Sequence, residues 1–386
     1  MKALRNFIDK IKPNFEKGGK FEKLHSTFDA FETFLFVPNK TTFKGSHIRD
    51  SIDMKRTMSM VLISLMPALL FGMWNVGYQH HLSIGEHKSV LENFIFGFIK
   101  VLPIIAVTYI VGLGIEFIFA QIRGHEVNEG FLVSGMLIPM VMPVDVPLWM
   151  VAVATAFAVI FGKEVFGGTG MNVFNPALLA RAFIFFAYPS KITGDFVWVA
   201  GLSEGKGIVD GFSGATPLGH WGQNIVDKTP FWDMFWGFIP GSIGETSTFA
   251  ILIGAFILIY TGVGSWRIII STIAGGIVMS LIFNAFAVND YMRVSPITHL
   301  VMGGFMFGAV FMATDPVSSA QTNTGKWIYG FLVGLFAIMI RVFNPAYPEG
   351  MMMAILLMNA FAPLIDFYVI EANIKRRMKR MKNVKA

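Results

Sequence analysis

The amino-acid sequence predicts an all-α integral membrane protein with about ten transmembrane helices, arranged as two inverted five-helix repeats with broken helices. Hydrophobic residues make up 54% of the 386 residues and charged residues only 15%, a balance that soluble domains rarely reach. Apolar runs suited to a bilayer core of about 30 Å recur between positions 57 and 370. Composition and the spacing of these runs therefore indicate the fold class.

The residues before the first apolar run form a hydrophilic N-terminal region, 1–56. Because this region contains no apolar run, we expect no cleaved signal peptide, and the first hydrophobic helix must itself direct insertion. Within it, the apolar residues of the stretch 24–36 share one helical face, which predicts an amphipathic helix. Such a helix would lie on the cytoplasmic membrane surface or dock on a partner protein, and the sequence favours neither.

Ten apolar segments follow, separated by breakers such as proline and glycine. The first repeat, 57–188, contains five of them, near 57–77, 94–122, 131–143, 147–162 and 176–188. The second repeat, 248–370, contains the other five, near 248–264, 267–287, 296–313, 327–342 and 349–370.

Several of these segments are too short or too interrupted for a simple span. The segment 131–143 would reach only about 18–20 Å, at about 1.5 Å per residue. Such pieces are typical of broken or re-entrant helices, whose backbone must be shielded by protein or by a polar cavity. We also expect re-entrant pieces in the loop 189–247 between the repeats, and a basic tail at 371–386.

A repeated tetrapeptide supports the division into two halves. The sequence FNPA occurs at 174–177 and again at 343–346, each time after the fourth apolar segment of a run of five. Because five is odd, the second half would be inverted relative to the first. Inverted repeats with interrupted helices commonly enclose a binding site at their interface.

The basic residues predict the orientation of the chain. Ten spans place both termini on one side, where 23 Lys and Arg residues fall, including Lys163, against 6 on the other, including Arg341. By the positive-inside rule both termini are cytoplasmic and the loop 189–247 faces outward. Membrane orientation therefore explains the net charge of +6 better than binding to nucleic acid does.

The chain contains no cysteine. This absence excludes disulfides, thiolate nucleophiles and cysteine-ligated iron–sulfur or zinc centres within the chain. Any redox chemistry carried by this chain alone would therefore require an organic cofactor.

Ionisable residues fall inside or at the ends of the predicted spans, where a buried charge is costly. Glu116, Asp315 and Asp366 are carboxylates, and carboxylate oxygens suit a hard cation such as Na⁺. Lys100 and Arg181 lie in the same setting. A cation path through the carboxylates is therefore one interpretation. Buried ion pairs or positions at headgroup level are the other, and from the residues alone this second interpretation is favoured for any single residue.

The stretch 163–183 is rich in turn-forming residues and amides at a predicted cytoplasmic helix end. Its glycines would let the backbone approach a flat ligand closely, and Asn172 and Asn175 offer donors and acceptors to the edge of an isoalloxazine ring. A tight turn between helices explains the same residues, and composition alone favours the turn. The sequence GLG at 112–114 lies inside an apolar helix, which indicates close helix packing rather than a dinucleotide site.

A polar stretch, DGFSGATPLGHW, lies in the predicted outer loop at 210–221. Its Thr216 carries a hydroxyl beside the small residues Ser213, Gly214 and Ala215, which leave room for a bulky adduct. This hydroxyl could be esterified to a phosphate. On spacing alone an ordinary turn is the favoured interpretation.

Eight motifs, in order along nearly the whole chain, resemble the B subunits of the sodium-pumping NADH:quinone oxidoreductases, within the NqrB/RnfD family. The motifs are SHIRDSIDMKR, HEVNEGF, KEVFGGTG, NPALLARAFIFFAYP, SGAT, IPGSIGE, FMATDPVS and RVFNPAYPEGMM. So many matches in one order are specific to that family.

The resemblance implies a membrane component of a translocase in the bacterial inner membrane. Such a component belongs to a complex with five other subunits, A, C, D, E and F. It accepts electrons from a partner subunit and passes them to ubiquinone or menaquinone, coupled to Na⁺ transport. Oxidation of NADH belongs to another subunit. Membrane lipid and quinone are further expected partners, and nucleic acid is not.

The resemblance also assigns roles to residues. It implies FMN bound to Thr216 by a phosphoester bond, with Ser213, Gly214 and Ala215 completing the motif. It implies riboflavin at Asn172 and Asn175 on the cytoplasmic side, and Na⁺ uptake at Glu116, Asp315 and Asp366. Family members often carry a Gly-Gly pair near the quinone site, but here Gly112 is followed by Leu113.

Two other interpretations remain open at this point. The homologous D subunit of the ferredoxin:NAD⁺ (RNF) complexes shares the flavinylated threonine, but typically lacks an N-terminal extension like residues 1–56. A solute or ion channel without redox chemistry is the alternative from a different class, because inverted five-helix halves with broken helices also build channels.

Overall fold

The fold is known from a computed structural model that describes most of the chain. The described residues are 2–16, 18–21, 25–36, 42–48, 52–124, 130–202, 212–223, 225–344 and 349–385. Within them the regular elements are all helical, and no β-strand is present. The predicted all-α class is therefore confirmed.

Among the described residues, five helices are long and apolar enough to cross a membrane. They are α3 (Met54–Ser83), α4 (Val90–Arg123), α11 (Trp266–Ala285), α14 (Asn323–Phe343) and α15 (Met351–Lys385). Together with the family reported below, they identify an integral membrane protein. The remaining helices are too short to span a bilayer by themselves.

The shorter helices fill the positions between these spans and the ends of the chain. The N-terminal region forms α1 (Lys2–Ile11) and α2 (His25–Leu35). The first half continues with α5 (Phe131–Met140), α6 (Leu148–Val159) and α7 (Pro176–Ala187). The connecting segment carries α8 (Pro217–Gly222) and α9 (Phe231–Trp236), and the second half contains α10 (Thr248–Tyr260), α12 (Pro296–Val301) and α13 (Phe305–Phe307).

Each of the ten predicted apolar segments overlaps at least one helix of the structure. The segment predicted at 296–313 is broken, because α12 ends before Gly303, where φ is +64°. The chain then re-enters α13 and continues as a wide π turn over Gly308–Met312. A second π turn, Ile160–Glu164, follows α6. The count of ten spans and the inverted relation of the two halves stay predictions.

The second half is held together by close packing of α11 against α14. A Cβ atom built on Gly334 would lie 1.9 Å from the carbonyl oxygen of Thr272, and one on Gly275 would lie 2.0 Å from that of Phe331. Only glycine fits such backbone-to-backbone contacts. Small residues of this kind drive helix association in membranes, where burial of apolar surface gives little net gain between helices.

The predicted amphipathic helix exists as α2, although Leu24 lies outside the described residues. Phe31 of α2 packs edge-on against Phe117 of α4, with ring centroids 6.1 Å apart. Glu32 is buried against Arg5 of α1, at 3.2 Å. The N-terminal region is therefore tied to the helix bundle, and its orientation on a membrane surface or a partner remains a prediction.

Two basic residues that the sequence places in loops are in fact buried. Lys163 lies in the π turn after α6, with its side chain only 4% exposed. Arg341 lies inside α14 and is 0% exposed. Neither residue should be counted among the loop charges, and each had been counted on a different side. The excess of basic residues on the cytoplasmic side therefore persists, and the orientation itself stays a prediction.

Four sequence motifs fall partly outside the described residues, and they are SHIRDSIDMKR (at 49–51), HEVNEGF, DGFSGATPLGHW (at 210–211) and RVFNPAYPEGMM. Residues 125–129 of HEVNEGF and residues 345–346 of the second FNPA lie there, as do residues 203–211 before SGAT. The first FNPA supplies the start of α7, whereas Asn344 of the second ends α14. The first copy therefore lies at the beginning of a helix, whereas the described part of the second copy lies at the end of one.

We expect Gly334→Ala to lower the free energy of unfolding by about 1–3 kcal/mol, because the added methyl overpacks the contact with α11. Gly114→Ala is the matched control, since a Cβ atom there meets nothing within 4 Å. The measurement is thermal unfolding in detergent. Equal midpoints for the two variants would contradict the close-packing account.

Candidate functional site

The first candidate site is a cavity of about 180 Å³ beside Thr216. Its walls come from α7, from the segments on either side of α8 and α9, and from the break after α12. Its polar and charged lining residues are Arg181, Thr193, Asp195, Thr216, Gln223, Ser242, Glu245, Thr246 and Glu349. The cavity therefore combines a loop hydroxyl with a buried group of charges.

Thr216 occupies the N-cap of α8, directly before Pro217. Its Oγ1 accepts a hydrogen bond from the backbone N–H of Gly219, at 3.0 Å. The side chain is only partly buried, and it lines the cavity. The hydroxyl is thus held at a fixed place on the cavity wall while its own proton remains available for another acceptor.

The residues before Thr216 are small for a structural reason. A Cβ atom built on Gly214 would lie 2.3 Å from the carbonyl oxygen of Asp195, so the two segments touch through their backbones. Ser213 Oγ accepts from the N–H of Ala215 at 3.2 Å, and Ala215 is buried. These residues shape the turn that presents Thr216.

Opposite charges meet at the wall of this cavity. Arg181 of α7 donates to a carboxylate oxygen of Glu245, at 2.9 Å, and also pairs with Glu349. Burial raises the pKa of Glu349 to about 8, and the neighbouring Glu245 carboxylate adds to that rise, whereas Arg181 opposes it. Because the two carboxylates share one guanidinium, a proton on Glu349 relieves their repulsion near neutral pH.

A second cavity, of about 110 Å³, lies between the two halves of the chain. Asn172, Asn175, Lys163 and Asp315 all line it. The structure therefore brings together the two asparagines predicted for riboflavin and one carboxylate predicted for Na⁺, together with a lysine that the sequence placed in a loop. Thr216 and its cavity are a separate site, since the two sets of lining residues share no member.

The two asparagines have different local roles. Asn175 caps α7, because its side-chain oxygen accepts from the N–H groups of Ala177 and Leu178 at 3.0 and 3.3 Å. Asn172 Nδ2 donates to the carbonyl oxygen of Phe174 at 3.1 Å. Before them, Gly167 and Gly168 adopt φ values of +121° and +95°. The glycines therefore serve a tight turn, the simpler of the two interpretations of this stretch.

Both π turns in the described part of the chain border the second cavity. Lys163 belongs to the first π turn, and Phe311 belongs to the second, directly before Thr314 and Asp315. A π turn inserts an extra residue into a helix and redirects the side chains that follow, and such turns recur at functional sites. Here the two π turns direct the cation of Lys163 and the carboxylate of Asp315 toward the second cavity.

Glu116 forms a buried ion pair with Lys163. Beside it, Glu164 is also buried, and Arg123 donates to its backbone carbonyl oxygen at 2.7 Å. The structure thus favours the ion-pair interpretation of Glu116. Its role in a cation path remains a prediction, with Lys163 connecting it to the second cavity.

The other two predicted carboxylates bind backbone turns. Asp315 Oδ2 accepts from the hydroxyl of Ser318 at 2.7 Å, and Oδ1 accepts from the N–H of Val317 at 3.2 Å. Asp366 of α15 accepts from the N–H groups of Gln321 and Thr322, at 2.6 and 3.0 Å. Among the described residues, no cluster of three or more His, Asp or Glu side chains is arranged as a metal site. Na⁺ binding at these carboxylates stays a prediction.

Gly112 has a packing role in the structure. A Cβ atom built on it would lie 1.8 Å from the ring of Phe131, so the ring of α5 rests directly on the backbone of α4. This agrees with the close-packing interpretation of the GLG sequence. A quinone at Gly112 remains a prediction.

Sequence reasoning singled out Arg181 without a role, and gave none to Glu245, Glu349 or Arg341. The two glutamates belong to the motifs IPGSIGE and YPEG, where each stands beside a glycine. A charged residue at the end of a glycine-containing turn, next to an apolar helix, is the sequence pattern by which Glu245 and Glu349 could have been identified as site residues.

These features define an all-helical membrane protein with two polar cavities, one at a loop threonine and one at a glycine-rich turn between its halves. The model of the NQR2, RnfD, RnfE family matches residues 41–375. The chain therefore belongs to this family, as the resemblance predicted.

Proteins named as the B subunit of Na(+)-translocating NADH-quinone reductase are similar to the chain over its whole length. The one from Ectopseudomonas mendocina is 48% identical, over 98% of this chain and 99% of its own. The one from Chromohalobacter salexigens is 46% identical, over 98% and 97%. The one from Pseudomonas aeruginosa is 46% identical, over 98% and 99%.

We expect Lys163→Met to lower the free energy of unfolding by about 3–5 kcal/mol, because Glu116 loses its buried ion-pair partner. The double variant Lys163→Met/Glu116→Gln should recover much of that loss, since no unpaired charge is then left. Lys375→Met is the control, because its pair with Glu371 is exposed and should contribute less than about 1 kcal/mol. Thermal unfolding in detergent measures all three, and a double variant no more stable than the single one would exclude a coupled pair.

Proposed function

We propose that the chain is the membrane-embedded B subunit of a Na⁺-translocating NADH:quinone reductase. In this proposal it carries FMN covalently on Thr216 and riboflavin at the second cavity, and passes electrons to quinone as Na⁺ crosses the membrane. The observation that carries the proposal is the Thr216 hydroxyl on the wall of a polar cavity, in a chain similar end to end to proteins of that name.

The residues around Thr216 fit a tethered flavin phosphate. The hydroxyl lies outside the membrane-spanning helices, on a turn whose neighbours are small and whose backbone is fixed. The cavity of about 180 Å³ is smaller than the roughly 300–1,000 Å³ typical of ligand sites, so it would take part of FMN and leave the rest toward the loop. When bound, the flavin supplies electron transfer through its isoalloxazine ring.

The second cavity offers the mixed polar edge that a riboflavin ring needs. Asn172 and Asn175 supply amide groups, and Lys163 supplies a cation. Its volume of about 110 Å³ likewise takes only part of such a ligand. The cavity lies beside Asp315, so a cation held by that carboxylate would be close to the ring and would offset negative charge there.

Na⁺ prefers oxygen ligands, and Asp315 is the predicted carboxylate that reaches a cavity. Glu116 connects to the same cavity through Lys163, whereas Asp366 fixes the turn before α14. We assign the main role in the ion path to Asp315 and the second to Glu116. Asp366 acts indirectly, because it fixes the position of the turn before α14.

The partners follow from the family. The other subunits of the reductase would deliver electrons and oxidise NADH, for which the sequence of this chain shows no binding motif. Ubiquinone or menaquinone is the acceptor, and the chain spans the bacterial inner membrane with both termini in the cytoplasm. The proposed inner-membrane location and the proposed cytoplasmic termini rest on the positive-inside rule and on the family.

The D subunit of an RNF complex is the second candidate, since the family model includes RnfD. The relatives named as B subunits of the quinone reductase match 98% of the chain, and the match therefore includes most of the N-terminal region. This coverage favours the quinone reductase. A channel without flavin is the remaining candidate, and the presence of bound flavin separates it from both.

Thr216→Val should abolish the covalent flavin, because valine keeps the shape of threonine but has no hydroxyl to esterify. Ultraviolet-excited fluorescence of the denatured chain on a gel reports the tether, and mass spectrometry of the peptide 207–228 should show the mass of FMN less water. Thr229→Val is the matched control, because this threonine belongs to the same connecting segment but does not line the cavity, and it should keep the fluorescent band. A fluorescent Thr216→Val chain would refute the tether.

Asp315→Asn should raise the Na⁺ concentration for half-maximal quinone reduction at least about tenfold, since an amide replaces the anionic ligand. Glu116→Gln should act in the same direction. Glu371→Gln, on an exposed part of α15, should leave the Na⁺ response unchanged. If Asp315→Asn and Glu116→Gln both kept the wild-type Na⁺ response, these carboxylates would have structural roles only.

A further inference from the structure

Arg341 is a charged residue that has no role in the proposed mechanism. It lies in the last turn of α14 and is among the largest fully buried side chains, at 0% exposed. Its Nη1 donates to the carbonyl oxygen of His299 at 2.7 Å, and its Nη2 to that of Met302 at 3.0 Å. Its Nε has no hydrogen-bond partner among the described residues.

No carboxylate pairs with Arg341 at contact distance in the part of the chain that the structure describes. Arg181 is the contrast, because it pairs with two carboxylates. Carbonyl dipoles offset part of the cost of burying a guanidinium, but they leave its net charge in place. Arg341 therefore holds a positive charge in the interior that no contacting side chain neutralises.

This charge lies next to the wall of the Thr216 cavity. Gly303 and Gly304 line the cavity, and Met302, which accepts from Arg341, directly precedes them. A Cβ atom built on Gly303 would lie 3.6 Å from Nη2 of Arg341. Burial raises the pKa of Glu349, another wall residue, and attraction to Arg341 opposes part of that rise. The field of Arg341 therefore reaches the cavity.

The other charged residues at the cavity wall are Arg181, Glu245, Glu349 and Asp195. Arg181 pairs with Glu245 and Glu349, and burial raises the pKa of Glu349, so this carboxyl holds its proton more readily than an exposed glutamate does. Asp195 lies on the side of the wall near Gly219, so the wall as a whole carries no positive excess. Arg341 acts locally, because no carboxylate contacts it among the described residues, and its field favours negative charge on the part of an occupant beside Gly303 and Gly304.

We propose that Arg341 stabilises negative charge on the ligand of the Thr216 cavity, without touching that ligand. The inference rests on the proposed function, in which the ligand is FMN attached to Thr216. The negative charge belongs either to the phosphoester or to the ring once it has accepted an electron. Arg341 stays protonated throughout and takes no part in bond making, so it acts through its field alone.

The midpoint potential of the flavin at Thr216 tests this role. Purified complexes are titrated spectroelectrochemically, and the Thr216→Val complex is titrated alongside, so that the difference isolates this flavin. In Arg341→Gln, one-electron reduction should be at least tenfold less favourable, which is a downward shift of about 59 mV. Arg341→Lys keeps the charge and should stay near the wild-type potential. Arg293→Gln removes an exposed charge, 69% accessible, and should change nothing.

The outcomes separate the two sources of charge. A lowered potential at normal flavin content assigns the effect to the ring. Loss of covalent flavin in Arg341→Gln, with flavin kept in Arg341→Lys, assigns it to the phosphoester, and either result supports the role. Wild-type flavin content and potential in Arg341→Gln would overturn it. If wild type and Thr216→Val gave identical titrations, the proposed function would fail first, and this inference with it.

Glu349→Gln gives a second arm that stands even if Arg341→Gln does not assemble. The groups facing Glu349 are Arg181 from α7, Glu245 from the segment before α10, and Arg341 from α14. Because burial raises the pKa of Glu349, the carboxyl ionises only at alkaline pH; at about pH 10 glutamine therefore removes a negative charge and should raise the potential. At about pH 6.5 the carboxyl is protonated, and the variant should match wild type. An unchanged potential at the higher pH would show that charges at this wall do not reach the ligand, and would overturn the inference.

Discussion

The cost of leaving a charge or a backbone polar group without a partner away from water governs this structure. In the hydrocarbon region no water is present to bind an unpaired donor or charge. The backbone is therefore helical, and the interior charges are grouped. Glu116 meets Lys163 within the helices, and Arg181 meets two glutamates at the Thr216 cavity. Where a helix breaks, after α12, the freed carbonyls bind Arg341.

The same constraint gives the molecule two polar cavities with different arrangements of charge. At the second cavity, a lysine is held by a glutamate while Asp315 is bound to neutral donors, so the local balance leaves room for a cation. At the Thr216 cavity, Arg181 is shared by two glutamates, and Arg341 lies behind the wall bound to backbone carbonyls. A cation and an anionic ligand would therefore find compensation at different places in this fold.

The sequence predicted the helices well and the contacts between them poorly. Hydropathy locates each apolar segment, because the energy of burying about 20 residues in lipid depends on composition alone. Arg341 lies at the end of the predicted segment 327–342 and was counted with the outer charges, because hydropathy does not show that tertiary packing buries a charge at a helix end. Thr216 could be chosen from its motif and the family. Its charged neighbours could not, since Arg181, Glu245 and Glu349 meet only after tertiary packing.

The two π turns have a consequence for how this family can vary in length. Each turn holds one residue more than regular winding allows, and each directly precedes or contains side chains of the second cavity. Insertion of one residue elsewhere in a spanning helix rotates everything beyond it by about 100°, but a π turn absorbs that residue locally. Single-residue gain or loss in related chains should therefore be tolerated at these turns more than anywhere else in the helices, and would re-aim the lysine and the aspartate without disturbing the packed glycines.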